Sequence, residues 1–184
     1  MIMQIIYHID SENNIYQINQ AWDEFAMSND AAYLIRDKIV GNNIFSFISS
    51  EAMREIWSHI FKRCRRGADL IFDYRCDSPD VKRFMKMELK SLPDNHIKFI
   101  STIINEEKID LKVIDTSLKR NENKISMCSW CKKIRLSEHT WLEIDKAIDH
   151  LNLFFVDNMP QITHGICKTC KKELMANSYK SAIN

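Results

Sequence analysis

The chain predicts an α+β fold built in two parts, and three observations predict it. Two strand signals open the sequence, and three more, linked by turn residues, end the first part near Ile104. Between them runs one long stretch with helical periodicity. Behind them stand two C-x2-C pairs, Cys128 with Cys131 and Cys167 with Cys170, the mark of a small module organised around a metal ion.

Each element follows from local chemistry. Ile5–Ile9 reads as a strand, Asp10-Ser11-Glu12-Asn13-Asn14 as a turn of side chains that bond their own backbone, and Ile15, Tyr16 and Ile18 as the returning strand. Asn19 is a candidate cap for a helix from Gln20, on which Trp22, Phe25 and Ala26 share a face; Ser28-Asn29-Asp30 stops it. Residues 39–48 combine a turn at Gly41 with the core-filling Phe45 and Phe47. Ser49 or Ser50 then starts the clearest helix, running to about Arg66. Met53, Ile56, Trp57, Ile60, Phe61 and Cys64 recur at i, i+3, i+4, i+7 spacing, most of the basic residues lie elsewhere, and Gly67 suits a C-cap. Leu70–Cys76, Lys82–Leu92 and Ile97–Ile104 are strands separated by Asp77-Ser78-Pro79-Asp80 and Pro93-Asp94-Asn95. In the middle one, Met85, Met87 and Leu89 alternate with Lys86, Glu88 and Lys90, as a half-buried strand requires. Strands joined this way form an antiparallel meander.

The second part is less periodic. Ile109, Leu111, Val113 and Ile114 suit either a strand extension or a helix between the parts, and Leu118–Asn123 reads as a linker. Thr140-Trp141-Leu142-Glu143 fits a capping box, with Trp141, Ile144, Ile148 and Leu151 on one helical face. Leu153–Val156 suits a short strand that Met159-Pro160 ends, and a last helix starts after Cys170 and frays beyond Tyr179. The expected organisation is a sensor-sized domain at 1–107, a connector at 108–124, a metal module at 125–176 and a flexible tail at 177–184.

Composition narrows the function classes. The 184 residues are 45% hydrophobic and 28% charged, an ordinary globular balance, with a net charge of +1. Residues 1–107 hold 13 Lys/Arg against 16 Asp/Glu, and the remainder 13 against 9; this asymmetry is too weak to argue for nucleic acid. The apolar opening segment lacks a basic start and a cleavage site, and no run of eighteen apolar residues exists, so the expectation is a cytoplasmic protein with no membrane span. In that compartment six cysteines read as metal ligands and buried thiols rather than disulfides. No phosphate-binding glycine motif, activated nucleophile or paired-acid context is present, so no enzymatic activity is expected.

Ile9-Asp10 before Asn13, Ile18-Asn19-Gln20-Ala21-Trp22 with Phe25, Val40-Gly41-Asn42-Asn43-Ile44-Phe45 and the three later strands together resemble a PAS domain. The resemblance implies a five-stranded antiparallel sheet with helices on one face, a ligand held between them, dimerisation and signal transfer to an attached module. Ile125-Ser126-Met127-Cys128-Ser129-Trp130-Cys131-Lys132-Lys133-Ile134-Arg135, the Trp141 segment, and Ile162-Thr163-His164-Gly165-Ile166-Cys167-Lys168-Thr169-Cys170 resemble a cysteine segment found behind PAS or receiver domains in bacterial signalling proteins. No kinase, cyclase or receiver segment accompanies them.

The two knuckles can complete a tetrahedron around one structural zinc ion, which would contribute folding energy to a module too small for its own core. An iron–sulfur centre and a thiol redox switch use the same residues, and His164 can either replace a sulfur or order its knuckle. Lys132, Lys133, Arg135, Lys168 and Lys171 would offset the charge of four thiolates or form a partner surface. A PAS-like interior lined by Phe45, Phe47, Trp57, Phe61, Phe72, Tyr74, Met85, Met87 and Phe99 is either a pocket for an unidentified ligand or a solid core. Flavin-adduct chemistry is disfavoured because Asn42–Phe47 has no cysteine, and haem because His59 falls off the apolar face. Cys64 reads as an inert buried thiol. The leading expectation is a sensory or adaptor protein, homodimeric, responding to a small ligand or a signalling partner; the alternative is a zinc-dependent, nucleic-acid-binding transcriptional regulator.

Overall fold

The computed structural model describes residues 3–153 and 158–177. The opening hairpin pairs β1 (Gln4–Ile9) with β2 (Ile15–Ile18), and Asp10 closes its turn by accepting from the Glu12 and Asn14 amides. Asn19 caps α1 (Gln20–Ser28) by accepting from the Trp22 amide; the same side chain also accepts from the Ile6 amide and so fixes the helix to β1. Ala26 is buried, whereas Trp22 and Phe25 are half-buried. The mixed segment resolves into the short helix α2 (Arg36–Ile39) and a 3-10 turn over Ile44–Phe47, with Gly41 at a φ of +90° between them.

Helix α3 (Glu51–Cys64) starts on the Ser50 hydroxyl and buries Met53, Ile56, Ile60, Phe61 and Cys64, the predicted stripe apart from Trp57, which is half-buried. Its end is tied down by Arg65, which donates to the Asn95 and Asp10 carbonyls and to Asn13 Oδ1, binding the first and last hairpin turns to the helix. The meander comprises β3 (Leu70–Arg75), β4 (Val81–Ser91) and β5 (Ile97–Lys108). β5 outruns its predicted end at Ile104 and pairs Lys108 with Val81, but it stops before Ile109, and Lys112–Ile114 forms a 3-10 turn, so Ile109, Leu111, Val113 and Ile114 form neither the strand extension nor the helix expected of them. The sheet order is β2-β1-β5-β4-β3, antiparallel throughout. This is the α+β, five-stranded, PAS-like architecture, with α3 packed against a core that includes Tyr7, Ile9, Phe72, Met87, Leu89 and Phe99.

The second sheet has order β8-β7-β6-β9, formed by β6 (Arg120–Cys128), β7 (Ile134–Arg135), β8 (Trp141–Leu142) and β9 (Met159–Gly165). β6 and β9 run parallel. Helices α4 (Ile144–His150) and α5 (Lys168–Asn177) complete the part. Three local expectations fail here. The linker expected through Asn123 enters β6 at Arg120, because the Arg120 guanidinium donates to the carbonyls of Val113, Asp115 and Pro160 and holds the segment to β9. Pro160 lies within β9 rather than breaking a strand; β9 is an edge strand, where the missing N–H costs little. The capping box does not form. Leu136 donates to Thr140 O in a hairpin, Trp141 pairs with Arg135, and the helix waits until Ile144 because the Glu143 carboxylate is taken by Arg75 and Lys133. Most of the strand expected over Leu153–Val156, and the tail beyond Asn177, fall outside the described residues.

A second core gathers Leu111, Val113, Met127, Ile134, Ile144 and Ile148, so the connector packs with the C-terminal sheet. Among the described residues, no helix is long and apolar enough to cross a membrane.

Candidate metal centre

Parallel pairing of β6 and β9 places Cys128 opposite Gly165, so both strands deliver their knuckles to the same end of the sheet. In the first knuckle the chain reverses through Lys132 at a φ of 62°, with Lys132 N donating to Cys128 O at 3.0 Å and Cys128 N to Lys133 O at 2.8 Å. The second knuckle runs from β9 directly into α5, where Cys170 N donates to Cys167 Sγ at 3.4 Å. Ser129 N donates to Gly165 O and Cys167 N to Cys128 Sγ, locking the turns together.

The four sulfurs all lie within 4.8 Å of one another, and Cys131 and Cys167 stand 3.9 Å apart without a disulfide. A tetrahedral ion with metal–sulfur bonds of about 2.3 Å needs sulfurs about 3.8 Å apart, so the set fits a single ion. Cys128, Cys167 and Cys170 are buried and Cys131 half-buried. Hydrogen bonds from Cys131 and Cys170 hold Cys128 far below the usual thiol range, while the bond to Cys128 pushes Cys131 up to about 12 and raises Cys170 as well. One thiolate is thus stabilised at the expense of its neighbours. His164 is exposed on β9 and outside the cluster.

An open groove of about 330 Å³ leads to Cys131 and Cys167, flanked by Lys133, His139, Trp141 and Lys168. Lys133 Nζ lies 3.4 Å from Glu143, Lys168 Nζ 3.1 Å from His139 Nδ1, and Lys132 Nζ donates to Ser129 O. Arg135 and Lys171 are exposed.

The centre is built onto the first domain, and the residue that does this was not among the predicted site residues. Trp130, between the two cysteines of the first knuckle, is 8% exposed. Its carbonyl accepts from Arg75 N at 2.9 Å, and its indole N–H donates to Asp73 O at 2.8 Å, which occupies the free edge of β3. Its ring lies 5.7 to 5.8 Å from those of Trp57, Phe72 and Tyr74. The available signal was an indole in a four-residue metal turn, where a polar side chain would ordinarily face water. Helix α5 adds Leu174 to the same core. Ion pairs flank the contact: Arg75 with Asp77 and Glu143, Lys82 with Asp145 at 3.3 Å.

Most of the predicted pocket residues share one interior; Phe47 departs by exposure, and Met85, though buried, lies outside that cluster. Phe61, Phe72, Met85, Met87 and Phe99 are buried, and Phe45, Trp57 and Tyr74 are half-buried. Phe47 is 42% exposed, at the end of its 3-10 turn. The rings pack on one another: Phe61 on Phe99 at 5.7 Å edge-on, Phe45 on Phe61 at 5.5 Å, and Tyr7 stacked on Phe99 at 4.3 Å. Tyr74 donates to the buried Ser101 hydroxyl. His59 is exposed, and burial pushes the Cys64 thiol up to about 11.

No family model matches the chain, and no curated protein does. Similar solved structures include the PAS domain of the RpfR quorum-sensing receptor of Cronobacter turicensis in complex with C12:0 (17% identity, 57% of this chain and 97% of that one, TM-score 0.43). A domain of an HTR-like protein from Haloarcula marismortui matches at 15% identity over 55% and 98%, TM-score 0.40. A domain of a sensory box sensor histidine kinase/response regulator from Geobacter sulfurreducens matches at 18% over 54% and 82%, TM-score 0.40. On its own strand order and packing, the chain is a PAS-like α+β domain followed by a candidate four-cysteine metal centre.

Proposed function

We propose that this chain is a cytoplasmic sensory or adaptor protein without enzymatic activity, in which four cysteines closed on a structural zinc ion fasten a small module to a signal-receiving PAS-like domain. One observation supports the reading above the rest: the four-thiol centre sits on β3 and α3 through Trp130 and α5 instead of hanging from a linker. A small apolar ligand or a protein that shifts β3 or α3 shifts the metal module with it. Four thiolates favour zinc and leave no position open for a substrate water. The lysines beside the centre offset the charge that four thiolates leave on a divalent ion. Homodimerisation, implied by the PAS resemblance, belongs to the same proposal. The nucleic-acid alternative has weaker support, because Lys133 and Lys168 are engaged with Glu143 and His139.

Native mass spectrometry of the full chain, purified under reducing conditions without added metal, tests the proposal. One zinc per chain, lost in Cys128→Ser, is the expected result; any further non-covalent mass identifies a ligand, and the same spectrum gives the subunit count. A metal-free chain with its thiols oxidised in pairs rejects structural zinc. Salt-dependent binding to duplex DNA would instead favour the regulator.

A further inference from the structure

Residues 128–131 do two jobs in four positions. Cys128 and Cys131 face the other sulfurs, while Trp130 lies against the aromatic side chains of the first domain. The indole cannot hold its place unless the turn holds its shape, and the turn is closed across to a second knuckle whose nearest cysteine is 36 residues away. Without a cation, β6–β9 pairing still brings the knuckles to one end of the sheet and two backbone bonds still close the first turn, but the closure from Cys131 across to the second knuckle rests on thiol hydrogen bonds and the contacts at Gly165. On the other side, Trp130 joins the edge of β3 through one backbone and one indole hydrogen bond, beside the Arg75–Glu143 ion pair.

We propose that Trp130 transmits metal occupancy of the four-cysteine centre to the interior of the PAS-like domain, making the first knuckle a metal-dependent gate over the space between β3 and α3. The inference rests on the reading of the four cysteines as a metal site. With the ion bound, the indole fills its seat among Trp57, Phe72 and Tyr74. With the ion gone, the turn relaxes and the seat opens, lined by three rings and the Asp73 carbonyl as an acceptor. That chemistry receives a flat aromatic molecule with one N–H donor, and free indole is the matching probe. Coupling of this kind is reciprocal: whatever displaces Trp130 must weaken the hold on the metal by the same factor.

The test uses the full chain labelled with 5-fluorotryptophan. Its four tryptophans, Trp22, Trp57, Trp130 and Trp141, are assigned from single Trp→Phe variants. Fluorine NMR is recorded with zinc bound and after chelation in reductant, with metal content read by mass spectrometry. The resonances of Trp57 and Trp130 should move on zinc removal. Trp22, which packs on Tyr7 and donates to Leu34 O, should not. Trp130→Ala should bind zinc about tenfold more weakly, and added indole should restore part of that affinity; if this variant does not fold, Trp130→Phe serves in the affinity comparison. A stationary Trp57 resonance while zinc leaves overturns the gate, as does an unchanged zinc affinity in the variant. Collapse of all four resonances together also overturns it, since the metal would then support the whole fold. A chain that never carries zinc refutes the underlying metal-site reading instead, and the mass spectrum alone distinguishes that case.

Discussion

Asp77 is the sharpest place to test how the two parts are held together. Its carboxylate is 1% exposed and pairs with Arg75, whose side chain is 8% exposed; it also accepts from Arg83 N at 3.1 Å. Asp77→Asn preserves the shape but removes the charge, leaving a buried guanidinium short of its main partner. Breaking a buried pair from one side costs about 3–5 kcal/mol. Glu143, 3.1 Å away and 38% exposed, and the Phe84 ring at 5.2 Å remain to Arg75, and together they offset about 1 kcal/mol of that. The expected loss is therefore about 2–4 kcal/mol. Equilibrium urea unfolding at fixed metal content measures it: with a slope of about 2 kcal/mol/M, the midpoint should fall by about 1–2 M. Glu143→Gln removes the more exposed partner and should cost about 1 kcal/mol or less. If Asp77→Asn is no more damaging than Glu143→Gln, the Arg75 network is solvated in solution and the argument from burial fails.

Other substitutions probe other contacts. Burial pushes the Cys64 thiol from 9.0 up to about 11, so folding favours its protonated form; that stability is intact below pH 9 and lost as pH rises toward 11. Denaturation across that window should show a shallower alkaline decline in Cys64→Ala. Tyr74→Phe leaves the buried Ser101 hydroxyl without its 3.1 Å partner and should cost about 1 kcal/mol, whereas adding Ser101→Ala should recover part of the loss in a double-mutant cycle. Arg120→Ala strands the carbonyls of Val113, Asp115 and Pro160, and hydrogen exchange should rise first in β9 and the connector.

What could be read from the chain alone followed sequence distance. The α3 stripe and the Asn19 cap are written within one or two helical turns, and each knuckle within four residues, so spacing sufficed. Trp130 was illegible because the groups that explain it, Asp73 and Trp57, lie far upstream; nothing near Cys128 states that a sheet edge waits for an indole. The Thr140 segment shows the opposite failure. A valid local capping signal lost to a hairpin and to Arg75, which claims Glu143 from 68 residues away. Phe47 resembled its buried neighbours in type, but the 3-10 turn left it at the surface. β6 and β9 were hard to see because parallel partners need no turn between them and leave no hairpin signature.

The parallel pairing of β6 and β9 also sets an order of events in synthesis. The second knuckle follows the first by 36 residues, so the two cannot meet until β9 exists and has crossed back to β6. A ribosome adding about 5–20 residues per second needs roughly 2–8 seconds to travel from the first knuckle to the last cysteine. Over that interval Cys128 and Cys131 form a bare dithiol, open to oxidants and to whatever soft metal ion arrives first. Any metal ion the centre takes up would thus first meet two of its four thiols, before the completed fold can exert any preference of its own.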